Sequence, residues 1–294
     1  MGQHRRRTRR RRLLAPTLIT TTLSAVTVAA VVVGTHSVTP RATAVASPEI
    51  PTATASAAPA PAPTPTPTPT PSDPPGTTAT APATSEAATV GALFNGDVRA
   101  GNHFCTASVL HSPTGNLLLT AAHCVDAPDT DRDTVTFAPG YRDGRAPYGT
   151  WRVTAVHTTD GWSQDGDQDE DFAVLETAAD ATGRRIEDVV GGNALGTDEP
   201  SGTAVRLYGY PAGAERPLLC TNTTDSRSDL QRVVDCPDYP GGTSGGPWIS
   251  TATGHVIGAI GGYQEGGDTD DTSYSAAFGH TVADLYAEAV AAAS

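Results

Sequence analysis

Three short stretches carry residue types that together can do nucleophilic chemistry. They are Leu119-Thr120-Ala121-Ala122-His123-Cys124, Asp171-Phe172-Ala173-Val174-Leu175 and Gly241-Gly242-Thr243-Ser244-Gly245-Gly246-Pro247. A serine hydroxyl attacks a carbonyl well only when a base removes its proton. An imidazole serves best as that base when a carboxylate fixes its tautomer and stabilises the imidazolium that forms. His123 follows the apolar run Leu117, Leu118 and Leu119 and is tied directly to Cys124, with Cys105 upstream. Several acids crowd the second stretch (Asp165, Asp167, Asp169, Glu170), but only Asp171 immediately precedes an apolar run; Asp169 is the fallback. The glycines around Ser244 permit a tight turn and leave room for a substrate carbonyl.

The order His, Asp, Ser and these local settings resemble the trypsin/chymotrypsin-like serine peptidases, in particular bacterial secreted members of the glutamyl endopeptidase branch. The resemblance implies His123 as general base and acid, Asp171 as its orienting carboxylate and Ser244 as nucleophile. The N–H groups of Gly242 and Ser244 would form the oxyanion hole. It further implies a Cys105–Cys124 bridge beside the histidine, with Cys220–Cys236 favoured to brace the loop that enters the serine site. Four cysteines allow two other pairings.

In similar enzymes the strand after the nucleophile lines the primary specificity pocket. Gly261 and Gly262 would then admit substrate backbone, and Tyr263 would either wall the pocket or cap a strand. Asp238 lies six residues before Ser244, where trypsin-like members hold the acid that selects Arg or Lys, but residues 239–241 lack the family's cysteine. Ile260 stands where glutamate-selective members carry a pocket histidine.

Residues 242–246 also satisfy the nucleophile-elbow pattern of α/β-hydrolases, with His280 and Asp268, Asp270 or Asp271 downstream. That elbow needs a strand-to-helix turn, whereas Pro247-Trp248-Ile249 continues as strand. A second functional class is a catalytically silent relative serving as a cell-surface binding module. The complete His/Asp/Ser set favours the enzyme.

To bring residues so distant in sequence together, the elements must form a sheet-rich scaffold. Short apolar or alternating segments at 93–98, 104–110, 134–138, 151–157, 204–208, 232–235 and 255–260 predict an all-β fold. With the resemblance, the expectation is two six-stranded antiparallel β-barrels, chymotrypsin-like, with a C-terminal helix. That helix is expected over 282–292, capped by Thr281, with Val282, Leu285, Ala289 and Val290 as its apolar stripe.

Three regions are expected. Residues 1–46, with seven arginines between Arg5 and Arg12 and then an apolar stretch, read as a signal peptide, or failing cleavage an anchor in membrane or cell wall. Residues 47–88 read as a disordered Pro/Thr/Ala-rich linker. Residues 89–294 form the peptidase domain, with Val90 to Phe94 as its first strand. The four cysteines all fall in this last region, as in an exported protein with two disulfides.

Without the leader, eleven arginines face 32 acidic residues, a formal balance of −21. That excess argues against nucleic acid as a partner and keeps a secreted protein soluble; the resemblance implies a monomer acting on proteins or peptides, and the N-terminal segment offers contact with the cell envelope. No cofactor is expected, and no metal-ligand spacing such as Cys-x-x-Cys is present. The acidic loops 126–133 and 165–171 offer oxygen ligands but lack a full calcium-loop signature.

Thr243 stands where trypsin-type zymogens carry an aspartate that receives the new N-terminus. A chain beginning several residues before Val90 is therefore expected to be active without trimming. Activity that emerges only after cleavage at Val90 contradicts this.

Overall fold

The computed structural model describes residues 76–126 and 130–293. The expected leader and residues 47–75 of the expected linker lie outside them. Residues 76–88, expected as the end of that linker, instead carry β1 (Thr78–Thr80) and α1 (Ser85–Ala88). β1 pairs antiparallel with residues 218–220, and Thr84 caps α1 by accepting the Ala87 N–H at 3.1 Å. Glu86, in the first turn of α1, binds Arg206 through two bonds of 2.6 Å and Tyr208 Oη at 2.8 Å. Val90 therefore begins the second described strand.

β2 (Val90–Asn95), β3 (His103–Leu110), β4 (Leu117–Thr120), β5 (Val135–Pro139), β6 (Trp151–Thr158) and β7 (Ala173–Thr177) close into a barrel of order β2-β3-β4-β7-β6-β5. The short helices α2 (Ala122–Asp126) and α3 (Asp160–Asp165) interrupt its connections. Leu117 to Thr120 are all buried, because β4 is covered on both faces. Leu118 and Leu175 fill the barrel with Leu93, Val109, Phe137 and Trp151. Leu117, Leu119, Phe172 and Val174 turn outward onto Val256, Phe278, Val282 and Leu285 of the second half. One apolar run thus both builds the barrel and docks its neighbour.

After α4 (Glu187–Val190), the second half contains β8 (Ala204–Gly209), β9 (Leu218–Thr223), β10 (Asp225–Ser228), β11 (Gln231–Asp235), β12 (Pro247–Ser250), β13 (Val256–Ala259) and β14 (Thr272–Ala276). A second closed barrel was expected; the strands form a five-stranded sheet, β1-β9-β8-β12-β13, and a three-stranded sheet, β10-β11-β14. Two seams explain the opening. β1 occupies the edge of β9, so the β9–β11 side is joined by the Cys220–Cys236 disulfide and by Asn222 Nδ2 donating to the Asp235 carbonyl at 2.6 Å. On the other side the Ala259 N–H donates to Ser275 Oγ at 3.0 Å, where a ladder would use a backbone carbonyl.

The C-terminal helix is present as α5 (His280–Ala292), with Val282, Leu285 and Ala289 buried. It starts earlier than expected: Gly279, not Thr281, is the cap, and it makes no side-chain bond. Tyr286 Oη donates to the His111 carbonyl at 2.8 Å, fixing α5 to the barrel.

The Glu86–Arg206–Tyr208 cluster ties the segment before Val90 to the second half. Both charged side chains are about three-quarters covered, so Glu86→Ala strands a cation. The expected cost is about 1–3 kcal/mol, a Tm fall of roughly 2–12 °C in a domain of this size. An unchanged melting curve contradicts that role.

Candidate active site

Register places the first two residues. Thr120, the last of β4, pairs with Ala173, the first of β7. His123 lies three residues beyond one strand end and Asp171 two residues before the other. The Cys105–Cys124 disulfide holds the α2 turn against β3, and a 3₁₀ turn over Gln168–Glu170 delivers Asp171.

The Asp171 side chain is withdrawn from solvent and accepts three hydrogen bonds. Its Oδ1 receives the His123 backbone N–H at 2.9 Å; its Oδ2 receives His123 Nδ1–H at 2.8 Å and the Gly262 N–H at 2.8 Å. A carboxylate only accepts, so Nδ1 carries the proton and the lone pair of the neutral ring is on Nε2. Asp169, the fallback, accepts from Gln231 Nε2 at 2.8 Å and does not hold the ring. Burial opposes a charge on His123, but the hydrogen bond and charge of Asp171, with a smaller contribution from Glu265, outweigh it and raise the imidazole pKa above 6.5.

Ser244 sits in a turn in which Thr243 donates both its N–H and its hydroxyl to the Pro240 carbonyl, at 3.3 and 2.7 Å. The Thr243 side chain thus serves the turn itself. Gly242 (φ 93°) and Gly245 (φ 78°) hold left-handed conformations. A Cβ on Gly245 would overlap Thr120 Oγ1 and the Thr106 carbonyl, so the residue after Ser244 rests against the strand that leads to His123. The Gly241 carbonyl accepts the Ala212 N–H at 2.8 Å and the Thr243 carbonyl accepts the Gly246 N–H at 2.9 Å. In trans peptides these bonds turn the N–H groups of Gly242 and Ser244 the opposite way. Neither donates a hydrogen bond among the described residues.

Thr106, which the sequence did not single out, spans this turn. Its N–H donates to the Ser244 carbonyl at 2.8 Å and its hydroxyl donates to the Gly242 carbonyl at 3.1 Å, while accepting the Tyr210 N–H at 2.8 Å. These partners are more than a hundred residues away in sequence, so no local pattern announces them. Among the described residues Ser244 Oγ makes no hydrogen bond to His123 Nε2; that nitrogen lies 3.8 Å from Cys124 Sγ.

The residues expected to meet substrate have contacts of their own. Gly261 is buried against Asp171, and the Gly262 N–H is taken by that carboxylate. Tyr263 is half-buried, edge-on to Tyr274 at 5.2 Å, and donates its N–H to Gln231 Oε1 at 3.1 Å. Asp238 is exposed at a left-handed position (φ 67°). Both expected disulfides form. The first also governs the one cluster of metal-ligand types among the described residues, Cys105, His123 and Cys124, whose two sulfurs are bonded to each other and offer no thiolate.

The sequence profile of the trypsin-like peptidase domain matches residues 105–258, more than half of the chain. The chain belongs to that family. Among solved structures, this trypsin-like peptidase domain is similar to the protease Anisep from Arthrobacter nicotinovorans (24% identity, 70% of this chain and 96% of that one, TM-score 0.59). It is also similar to the thermostable serine protease AL20 from an extremophilic microorganism (23%, 71% and 99%, 0.60) and to a Glu endopeptidase (18%, 73% and 96%, 0.58). These likenesses show the chymotrypsin-like fold. A curated relative, the extracellular metalloprotease of Bacillus subtilis (strain 168), is 26% identical over 134 residues, which are 45% of this chain and 42% of that protein. The chain thus spans less than half of that relative's length.

A folded-state pKa above 6.5 means that the charged His123–Asp171 pair stabilises the fold fully below pH 6.5, and that this contribution fades as pH rises through the raised value. NMR titration of the imidazole should give a midpoint above 6.5 that falls in Asp171→Asn. A midpoint unmoved by that change contradicts the assignment.

Proposed function

We propose that this trypsin-like domain is a secreted serine endopeptidase that cleaves peptide bonds through an acyl-enzyme on Ser244. The observation that carries the reading is the Asp171 carboxylate on His123 Nδ1, which leaves Nε2 as the ring's basic atom. In this reading Nε2 takes the Ser244 proton as Oγ attacks the scissile carbonyl. It then returns that proton to the leaving amine, and the cycle repeats with water. Asp171 keeps the tautomer and stabilises the imidazolium without itself taking the proton. The N–H groups of Gly242 and Ser244, without partners among the described residues, receive the oxyanion. Substrate binding draws Ser244 Oγ into hydrogen-bond reach of Nε2, a contact often loose in the free enzyme.

Export agrees with the reading of residues 1–46 as a signal peptide, with two disulfides formed, and with the word extracellular in the name of the Bacillus relative. Residues 47–75 would then serve as a linker to the folded part.

The base must be neutral to act, so kcat/KM should rise with pH through an acid limb above 6.5. Ser244→Ala and His123→Ala should each lower kcat on a peptide substrate by about 10⁴-fold or more. Thr106→Val keeps shape but frees the Gly242 carbonyl. It should lower kcat by about 10- to 100-fold at nearly constant KM, less than full loss of an oxyanion donor, and Thr106→Ser should restore most of it. Hydrolysis unaffected by Ser244→Ala refutes the proposal.

A further inference from the structure

Beyond the triad, the described surface contains a cation set out for a ligand close to it. Arg227, on β10, lays its guanidinium over the Tyr263 ring, 3.3 Å from the centroid, and lies 5.3 Å from the ring of Tyr274. The side chain is exposed, and among the described residues it has no carboxylate partner. Arg99, Arg132, Arg184, Arg185, Arg206 and Arg216 each pair with an Asp or Glu, whereas Arg227 is held by aromatic rings instead. A guanidinium stacked by its face keeps its in-plane N–H groups available, and that planar fork matches a carboxylate.

Its place in the fold makes this relevant to substrate. Ile260 is joined to the serine turn by two backbone bonds, Gly245 N–H to its carbonyl at 2.7 Å and its own N–H to the Gly246 carbonyl at 2.9 Å. Gly262 donates to Asp171, and Tyr263 is the next residue. Tyr263 therefore follows Ile260 by three residues, at most about 10 Å of chain, and Gly262 (φ 75°) turns it there into a 3₁₀ turn over Tyr263–Gly266. A substrate running beside this segment would bring a side chain about three residues from its cleaved bond to Arg227.

We propose that Arg227, presented by Tyr263 and Tyr274, forms a subsite for an acidic side chain two to four residues N-terminal to the scissile bond. The inference rests on the peptidase reading and goes beyond the primary pocket, to which Arg227 does not belong. Tyr263 thereby acquires a role as the platform that aims the cation.

The test uses the full chain and fluorogenic peptides identical except for Glu or Gln at the second, third or fourth position before the cleaved bond. At one of these positions the wild type should prefer Glu by about tenfold in kcat/KM, a charge-assisted bond at a partly wet site. Arg227→Gln should bring that ratio close to one while leaving hydrolysis of the Gln peptides unchanged. Arg227→Lys, which keeps charge without the planar fork, should retain only part of the preference. No preference for Glu at any of the three positions, or a preference that survives Arg227→Gln, overturns the subsite.

The same peptides, labelled, titrated onto Ser244→Ala by fluorescence anisotropy, separate the two claims. Tighter binding of the Glu peptide that Arg227→Gln abolishes supports the subsite even if no peptide is cleaved, which would count against the peptidase reading. Equal binding of both peptides counts against the subsite alone.

Discussion

A carboxylate sealed from water is costly unless its oxygens are bonded, and Asp171 meets that constraint by drawing three donors onto one side chain. Two come from His123, beside the strand that pairs with its own; the third is Gly262, from the second half of the domain. The carboxylate is therefore both the orienting group of the imidazole and a polar joint between the two halves. Removing its charge leaves Gly262 and the His123 backbone less well paired, so structure and site are coupled at this position.

The apolar contribution to the same joint comes from β4 and β7. Their alternating side chains fill the barrel on one face and meet Val256, Phe278 and α5 on the other. The serine turn is then pinned from the barrel side by Thr106, whose backbone and hydroxyl hold the carbonyls of Ser244 and Gly242. Glycine at 245 is required because β3 and β4 approach too closely for a Cβ. The three chemical groups depend on long-range backbone contacts more than on the local turns that carry them.

Much of this was legible in the chain because its signals are local. An apolar run ending in Ala-Ala-His-Cys, an Asp opening Phe-Ala-Val-Leu and a serine among glycines each mark a strand end or turn. Most strand positions and both disulfides were likewise within reach. What sequence reading missed involves partners far apart. The Ala- and Thr-rich segment at 76–88 looks like linker, yet its strand completes an exposed edge of β9 and Glu86 finds Arg206. The second barrel stays open because a strand from before the domain's expected start occupies one edge and the Ser275 hydroxyl replaces a ladder bond at another. Nor does any local pattern announce that the Gly262 N–H serves Asp171, ninety-one residues away.

The measurement closest to the centre of this account is chemical. Full-length protein treated with a fluorophosphonate, digested and mapped by mass spectrometry should carry one adduct, on Ser244, formed far more slowly in His123→Ala. A label on another residue, or labelling of Ser244 at an undiminished rate without His123, would contradict the claim that Asp171, His123 and Ser244 work as one unit.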